Sequence, residues 1–110
     1  MDFQKYIHKF DKLPKVKATN IIEDISNPQI HFQKENNILN GKKIKEFIEI
    51  TQKKVLNLPI NSIKFESLEN IFLCVIESNI ALILVLEKDI DLTELKSHID
   101  HFLNDLLIHM

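Results

Sequence analysis

Three strand-length segments follow one another in the second half of the chain, at residues 60–68, 71–78 and 80–87. The first alternates between apolar and polar residues, which is typical of a strand with one buried face. The other two are almost entirely apolar, as central strands are. Short polar breaks at 69–70 and 78–79 mark where each segment gives way to the next. The sequence therefore predicts an antiparallel meander in which the alternating segment is an edge strand.

Two further strands are predicted earlier in the chain, at residues 16–25 and 29–34. The Ser-Asn-Pro turn at 26–28 separates them, because these residue types favour tight turns. Alternation within the first of these strands predicts that three residues share one face: Val16, Ala18 and Asn20.

Helical periodicity predicts three helices, at 2–12, 41–57 and 92–108. Asp2 and Asp91 are placed to cap the first and the last of them. The middle helix carries the clearest apolar stripe, formed by Ile44, Phe47, Ile48, Thr51 and Val55.

The predicted order is therefore α-β-β-α-β-β-β-α within a single domain, residues 1–110. Connections of hairpin length imply an α+β fold with a five-stranded, mainly antiparallel sheet. We expect the helices to cover one face of this sheet, as in a profilin-like sandwich.

Composition excludes several classes of function. The single Gly rules out Gly-rich phosphate loops, and the single Cys, Cys74, rules out intrachain disulfides and zinc ribbons. A formal charge of −2 gives no sign of nucleic-acid binding. The apolar runs are too short and interrupted to insert in a membrane, and the charged N-terminus is unlike a signal peptide. These two features predict a cytoplasmic protein. No catalytic motif is present, and we expect a protein that is not an enzyme and has no cofactor or metal.

Several segments resemble the roadblock/dynein-light-chain family. Residues 10–24, FDKLPKVKATNIIED, are similar to the end of its first helix and its first strand. Residues 63–86 are similar to its three-stranded meander, and residues 80–99 to its last strand and final helix. One departure is EDISNP at 23–28, where the family commonly has Asp-x-x-Gly. We expect Asn27 to take the left-handed conformation in place of that glycine.

The resemblance implies a small non-enzymatic module. Such proteins dimerise by packing the middle helix against its copy and pairing the third strand edge to edge. The partner is then a second copy or a paralogue, and bacterial and archaeal members work with small Ras-like GTPases. An unpaired edge strand is also an aggregation hazard. The dimer-interface residues that we expect are Phe47, Ile50, Lys54, Ile63, Lys64, Phe65 and Glu66.

Two alternatives stay open. One is a small acidic, dimeric chaperone of the secretion-effector type, which usually has three strands before its middle helix. The other is a metal-dependent enzyme built on His98 and His101, with Glu94 and Asp105 one turn away on either side. An ordinary solvated helix face also explains those four residues.

All 14 basic residues are lysines. An arginine finger supplied in trans accelerates GTP hydrolysis by roughly 10³–10⁵-fold. Because this chain has no arginine, it supplies no such finger to a GTPase. It would have to align the partner's own residues, or else serve as a platform.

Overall fold

The computed structural model describes residues 2–24, 29–32, 43, 44, 46, 49, 62–77 and 79–109. The two helices with defined bounds are α1 (Phe3–Asp11) and α2 (Leu92–His109). The strands are β1 (Val16–Glu23), β2 (Gln29–Phe32), β3 (Ser62–Glu66), β4 (Asn70–Glu77) and β5 (Ile80–Glu87). The α+β class and the order of these elements are as predicted.

Between β2 and β3, residues 43, 44, 46 and 49 have helical backbone. The rest of the predicted helix 41–57 lies outside the described residues. The turn at 26–28, with the conformation expected of Asn27, also lies outside them.

The strands form a five-stranded sheet in the order β2-β1-β5-β4-β3. Every neighbouring pair is antiparallel. The predicted meander β3-β4-β5 is therefore confirmed, with β3 at one edge. The almost entirely apolar β5 lies at the centre because it needs cover on both faces and a partner on both sides.

The two faces of the sheet have separate cores. On the first face, α1 and α2 pack over a core that includes Ile7, Phe10, Ile21, Leu82, Leu84 and Phe102. On the second face, the buried residues are Ala18, Ile22, Ile44, Phe72, Cys74, Ala81, Ile83 and Val85. Ile44 belongs to the helical residues between β2 and β3. The prediction that the helices cover only one face is therefore wrong.

The reason lies in β5, whose residues are buried on both sides. Leu82 and Leu84 belong to the first core, whereas Ile83 and Val85 belong to the second. A strand that is apolar on both sides exposes one apolar face unless both faces are covered. Ile44 supplies part of that cover on the second face.

A β-bulge at the start of β1 overturns a second expectation. The register shifts between Val16, which pairs with Leu86, and Ala18, which pairs with Val85. A step of two residues along β1 thus corresponds to a step of one residue along β5. This extra residue in β1 places the side chain of Val16 on the first face of the sheet. Val16 packs in the first core and Ala18 in the second. The two residues do not share a face.

Asp2 and Asp91 cap their helices as predicted. The Lys5 backbone N–H donates to Asp2 Oδ1 at 3.2 Å, and the Thr93 N–H donates to Asp91 Oδ1 at 2.9 Å. Both bonds satisfy donors that have no partner within the helix. In a capping box, the side chain of the capping residue accepts from the third helical residue. The side chain of Asp91 instead accepts from the second helical residue, Thr93.

Replacing Asp91 with Ala is expected to lower the free energy of unfolding by about 1 kcal/mol, because it removes the cap of α2. Asp91→Asn keeps an acceptor oxygen and is expected to stay within a few tenths of a kcal/mol of wild type. Urea unfolding followed by circular dichroism measures both. Equal losses in the two variants would contradict a capping role.

Lys15 and Asp89 join the α1–β1 connection to the β5–α2 connection. Lys15 has a left-handed backbone, with φ of 67°, and its Nζ lies 2.9 Å from Asp89 Oδ2. Their hydrogen bond raises the pKa of Lys15 and lowers the pKa of Asp89. Both side chains are exposed, so the pair is open to screening by solvent and salt.

Asp89→Asn is therefore expected to make the protein slightly less stable than wild type at neutral pH. Because the pKa of Asp89 is lower in the folded state, its stabilisation is complete above the unfolded pKa. It is lost as the pH falls through the folded value. Urea unfolding at pH 7 and at about pH 2 measures the difference between the two proteins. A difference that does not shrink in acid would contradict the contribution of this ion pair.

Candidate functional site

The outer edge of β3 is the candidate site. Within the described part of the chain, β3 pairs with β4 alone, over the five positions Ser62–Glu66. An edge strand presents backbone N–H and C=O groups that can pair with another chain. The β2 edge at the opposite side of the sheet is shorter, with four residues.

The side chains of β3 alternate between the two faces of the sheet. Phe65 is half-buried, lies opposite Phe72 and packs against the second core. Lys64 and Glu66 are exposed and lie on the first face, opposite Leu73 and Ile71. Over Lys64–Glu66, this agrees with the alternation predicted for residues 60–68. It leaves a strand with one apolar side and one charged side.

The charged side of β3 forms a small ionic group. Lys64 Nζ lies 3.3 Å from Glu66 Oε1, and Lys88 Nζ lies 3.9 Å from Glu66 Oε2. The three side chains are 43–50% exposed. Ion pairs this exposed contribute little to stability. Charged residues on an edge strand do oppose unwanted pairing, so they influence which chains pair there.

The structure describes part of the interface expected from the sequence. Lys64, Phe65 and Glu66 lie together on the edge strand. Ile63 belongs to β3 and pairs with Cys74, but its side chain is outside the described residues. The remaining expected residues, Phe47, Ile50 and Lys54, also lie outside the described residues. The interface stays a prediction.

His98 and His101 lie on the exposed side of α2, away from β3. His101 Nε2 is 3.9 Å from Asp105 Oδ2. In residues 2–24, 29–32, 62–77, 79–109 and the four described helical positions, no group of three His, Cys, Asp or Glu side chains is arranged to hold a metal ion. The side chain of Cys74 is buried in the second core.

One feature was missed by sequence reasoning: a cleft of about 330 Å³ between α1 and α2. Its lining residues are Tyr6, Lys9, Phe10, Lys12, His98 and His101. Lys9 on α1 and Lys12 at its C-cap are three residues apart, as are His98 and His101 on α2, and this spacing places each pair on one side of its helix. That signal is present in the sequence. The adjacency of the two helices is not, because they are far apart along the chain.

No helix within the described residues has both the length and the apolar character needed to cross a membrane.

Comparison with known proteins shows a likeness in structure. No protein-family model matches the chain, and no curated protein matches it. Among solved structures, the chain is similar to a Roadblock/LC7 domain from Streptomyces avermitilis, with a TM-score of 0.68. The alignment covers 99% of this chain and 98% of that domain, at 7% sequence identity.

At this identity the likeness shows a shared fold, which confirms at the level of fold the resemblance drawn from the sequence. The alternative of a secretion-type chaperone expects three strands before the middle helix. The described residues contain two strands before position 43, β1 and β2.

Proposed function

We propose that this chain is a non-enzymatic, homodimeric interaction module whose two copies pair along β3. The observation that carries the proposal is the outer edge of β3, with Phe65 on one side and Lys64 and Glu66 on the other. Pairing with a second copy gives the edge backbone partners on its outer side and removes an aggregation hazard. The Roadblock/LC7 fold of the chain supports this proposal.

The charges on β3 favour one register for such a pair. Directly opposed residues of antiparallel strands lie on the same face of the sheet. A two-fold axis at Phe65 places Lys64 of each copy opposite Glu66 of the other, which gives two ion pairs across the interface. An axis at Lys64 would place two lysines opposite each other, and opposed like charges are destabilising. The proposed dimer therefore has its axis at Phe65.

Sedimentation velocity tests the dimer directly. Between about 10 and 200 μM, a concentration range that brackets a micromolar dissociation constant, we expect a species of about twice the 12.9 kDa of one chain. A strictly monomeric protein at the highest concentration would overturn the proposal.

As its partner we propose a small Ras-like GTPase, which the dimer holds as a platform. The chain contains no arginine, so it contributes no arginine finger in trans. Interferometry with small GTPases of the source genome, loaded with GDP or with a non-hydrolysable GTP analogue, tests this. We expect affinity to differ between the two nucleotide states. Binding of none of them, or capture of an unfolded effector segment instead, would contradict the GTPase as partner.

A further inference from the structure

The cleft between α1 and α2 is a second surface with a chemistry of its own. It lies between the two helices that cover the first face of the sheet, and its lining residues belong to these helices and to the residue that follows α1. None of these lining residues belongs to β3. A ligand in this cleft is therefore recognised independently of the sheet edge.

The floor of the cleft is aromatic and firmly packed. Tyr6 and Phe10 are 6% and 2% exposed. The centroids of their rings lie 5.1 and 6.2 Å from the centroid of Phe102, both in edge-to-face contact. Such contacts hold the rings in place. The floor therefore offers a preformed apolar surface, which lowers the ordering cost of binding.

The rim of the cleft is basic. Lys9 and Lys12 stand on one side and His98 and His101 on the other, and all four are exposed. Lys9 Nζ lies 5.4 Å from the centroid of the Tyr6 ring, so its ammonium group is directly above the floor.

Among the residues that the structure describes, no carboxylate lines the cleft. Asp105 stands just outside, with Oδ2 3.9 Å from His101 Nε2. Asp91 and Glu94 border a separate depression that His98 shares. In a chain with 16 acidic residues and a net charge of −2, a wall of basic side chains without an acid attracts anions.

We propose that the α1–α2 cleft binds an acidic peptide segment of a partner protein. Carboxylates of the segment contact Lys9, Lys12 and the two histidines, while an apolar side chain lies on Tyr6 and Phe10. A single inorganic anion would leave the aromatic floor unused. Four separate basic groups suit several carboxylates spread along a chain, whereas tight capture of one phosphate usually employs a bidentate arginine.

A library of random 12-residue peptides displayed on phage, selected against the immobilised full chain, tests the proposal. The enriched peptides are synthesised and titrated by fluorescence anisotropy. We expect them to combine Asp or Glu with Leu, Phe or Trp. The double variant Lys9→Gln/Lys12→Gln is expected to bind them about fivefold more weakly, as the loss of two exposed ion pairs predicts. Affinity is also expected to fall with added salt.

The matched control is Lys5→Gln/Lys96→Gln, which removes one exposed lysine from each helix outside the cleft. It has the same net charge as the cleft variant and is expected to bind within about twofold of wild type. Circular dichroism checks that both variants are folded. Failure to enrich any peptide, enrichment of peptides without acidic residues, or equal binding by the two variants would each overturn the proposal. None of these results depends on whether the protein dimerises.

Discussion

Phe102→Ala is expected to lower the free energy of unfolding by about 3–5 kcal/mol. Phe102 is completely buried at the centre of the first core, where α1 and α2 meet. Its ring contacts those of Tyr6 and Phe10. Truncation therefore removes buried apolar area and two ring contacts, and it leaves a cavity in the core. The loss is a large fraction of the roughly 5–15 kcal/mol typical of a small domain.

Urea unfolding followed by circular dichroism in the far ultraviolet measures this change. Leu107→Ala is the matched control, because Leu107 lies on the same helix but is 59% exposed. It is expected to change the free energy of unfolding by no more than about 0.5 kcal/mol. Similar losses in the two variants would show that the effect comes from helix propensity rather than from the core.

The sheet was predictable from the sequence because its strongest signal is local. β4 and β5 are continuous apolar segments, and the breaks beside them are too short for anything except hairpins. The edge position of β3 was predicted from its alternation between apolar and polar residues, which contrasts with the continuous apolar segments of β4 and β5. These inferences need no knowledge of distant residues.

The placement of the helices was harder to predict. Periodicity indicates that a helix has an apolar side, but not which face of a sheet receives it. The two-sided burial of β5 shows why both faces are covered, and Ile44 takes part in covering the second. The bulge between Val16 and Ala18 is equally invisible, because it depends on the pairing of β1 with β5 rather than on β1 alone.

Of the two candidate binding surfaces, the β3 edge was predicted from the sequence and the α1–α2 cleft was not. Lys64, Phe65 and Glu66 were identified because an exposed edge has a pattern of its own in the sequence. The α1–α2 cleft was missed because its two walls, near Lys12 and His98, meet only in the folded chain. Neither the β3 edge nor the α1–α2 cleft identifies the molecule that binds to it, because a surface indicates the chemistry of its partner rather than the partner's identity.

Reversing one charge on β3 is expected to weaken the proposed dimer at least about fourfold. Lys64→Glu replaces two attractive pairs across the interface with two repulsive ones, and Glu66→Lys does the same with the opposite sign. Opposed charges on neighbouring strands contribute roughly 0.2–1 kcal/mol each, and like charges oppose pairing by similar amounts. Sedimentation equilibrium at low salt gives the dissociation constant of each variant.

Mixing the two weakened variants makes the test specific for the register. The Lys64→Glu variant carries a glutamate at both charged positions of β3, and the Glu66→Lys variant carries a lysine at both. With the axis at Phe65, the mixed pair therefore places two glutamates of one copy opposite two lysines of the other. The mixture is expected to form a heterodimer at concentrations where each variant alone is monomeric. The double variant Lys64→Glu/Glu66→Lys, which exchanges the two charges, is expected to recover self-association for the same reason.

Lys5→Glu is the control, because it introduces the same change of net charge as Lys64→Glu but on α1, which packs against β1 and β2 at the opposite side of the sheet from β3. It is expected to dimerise like wild type. An axis at Lys64 leads to a different result, because removing the opposed lysines does not make Glu66 face a lysine of the other copy. In that register the mixture gains only the central Glu–Lys pair, and the exchanged variant gains nothing because two glutamates replace the two opposed lysines. Recovery by the exchanged variant therefore distinguishes the Phe65 axis, and its absence would contradict that register.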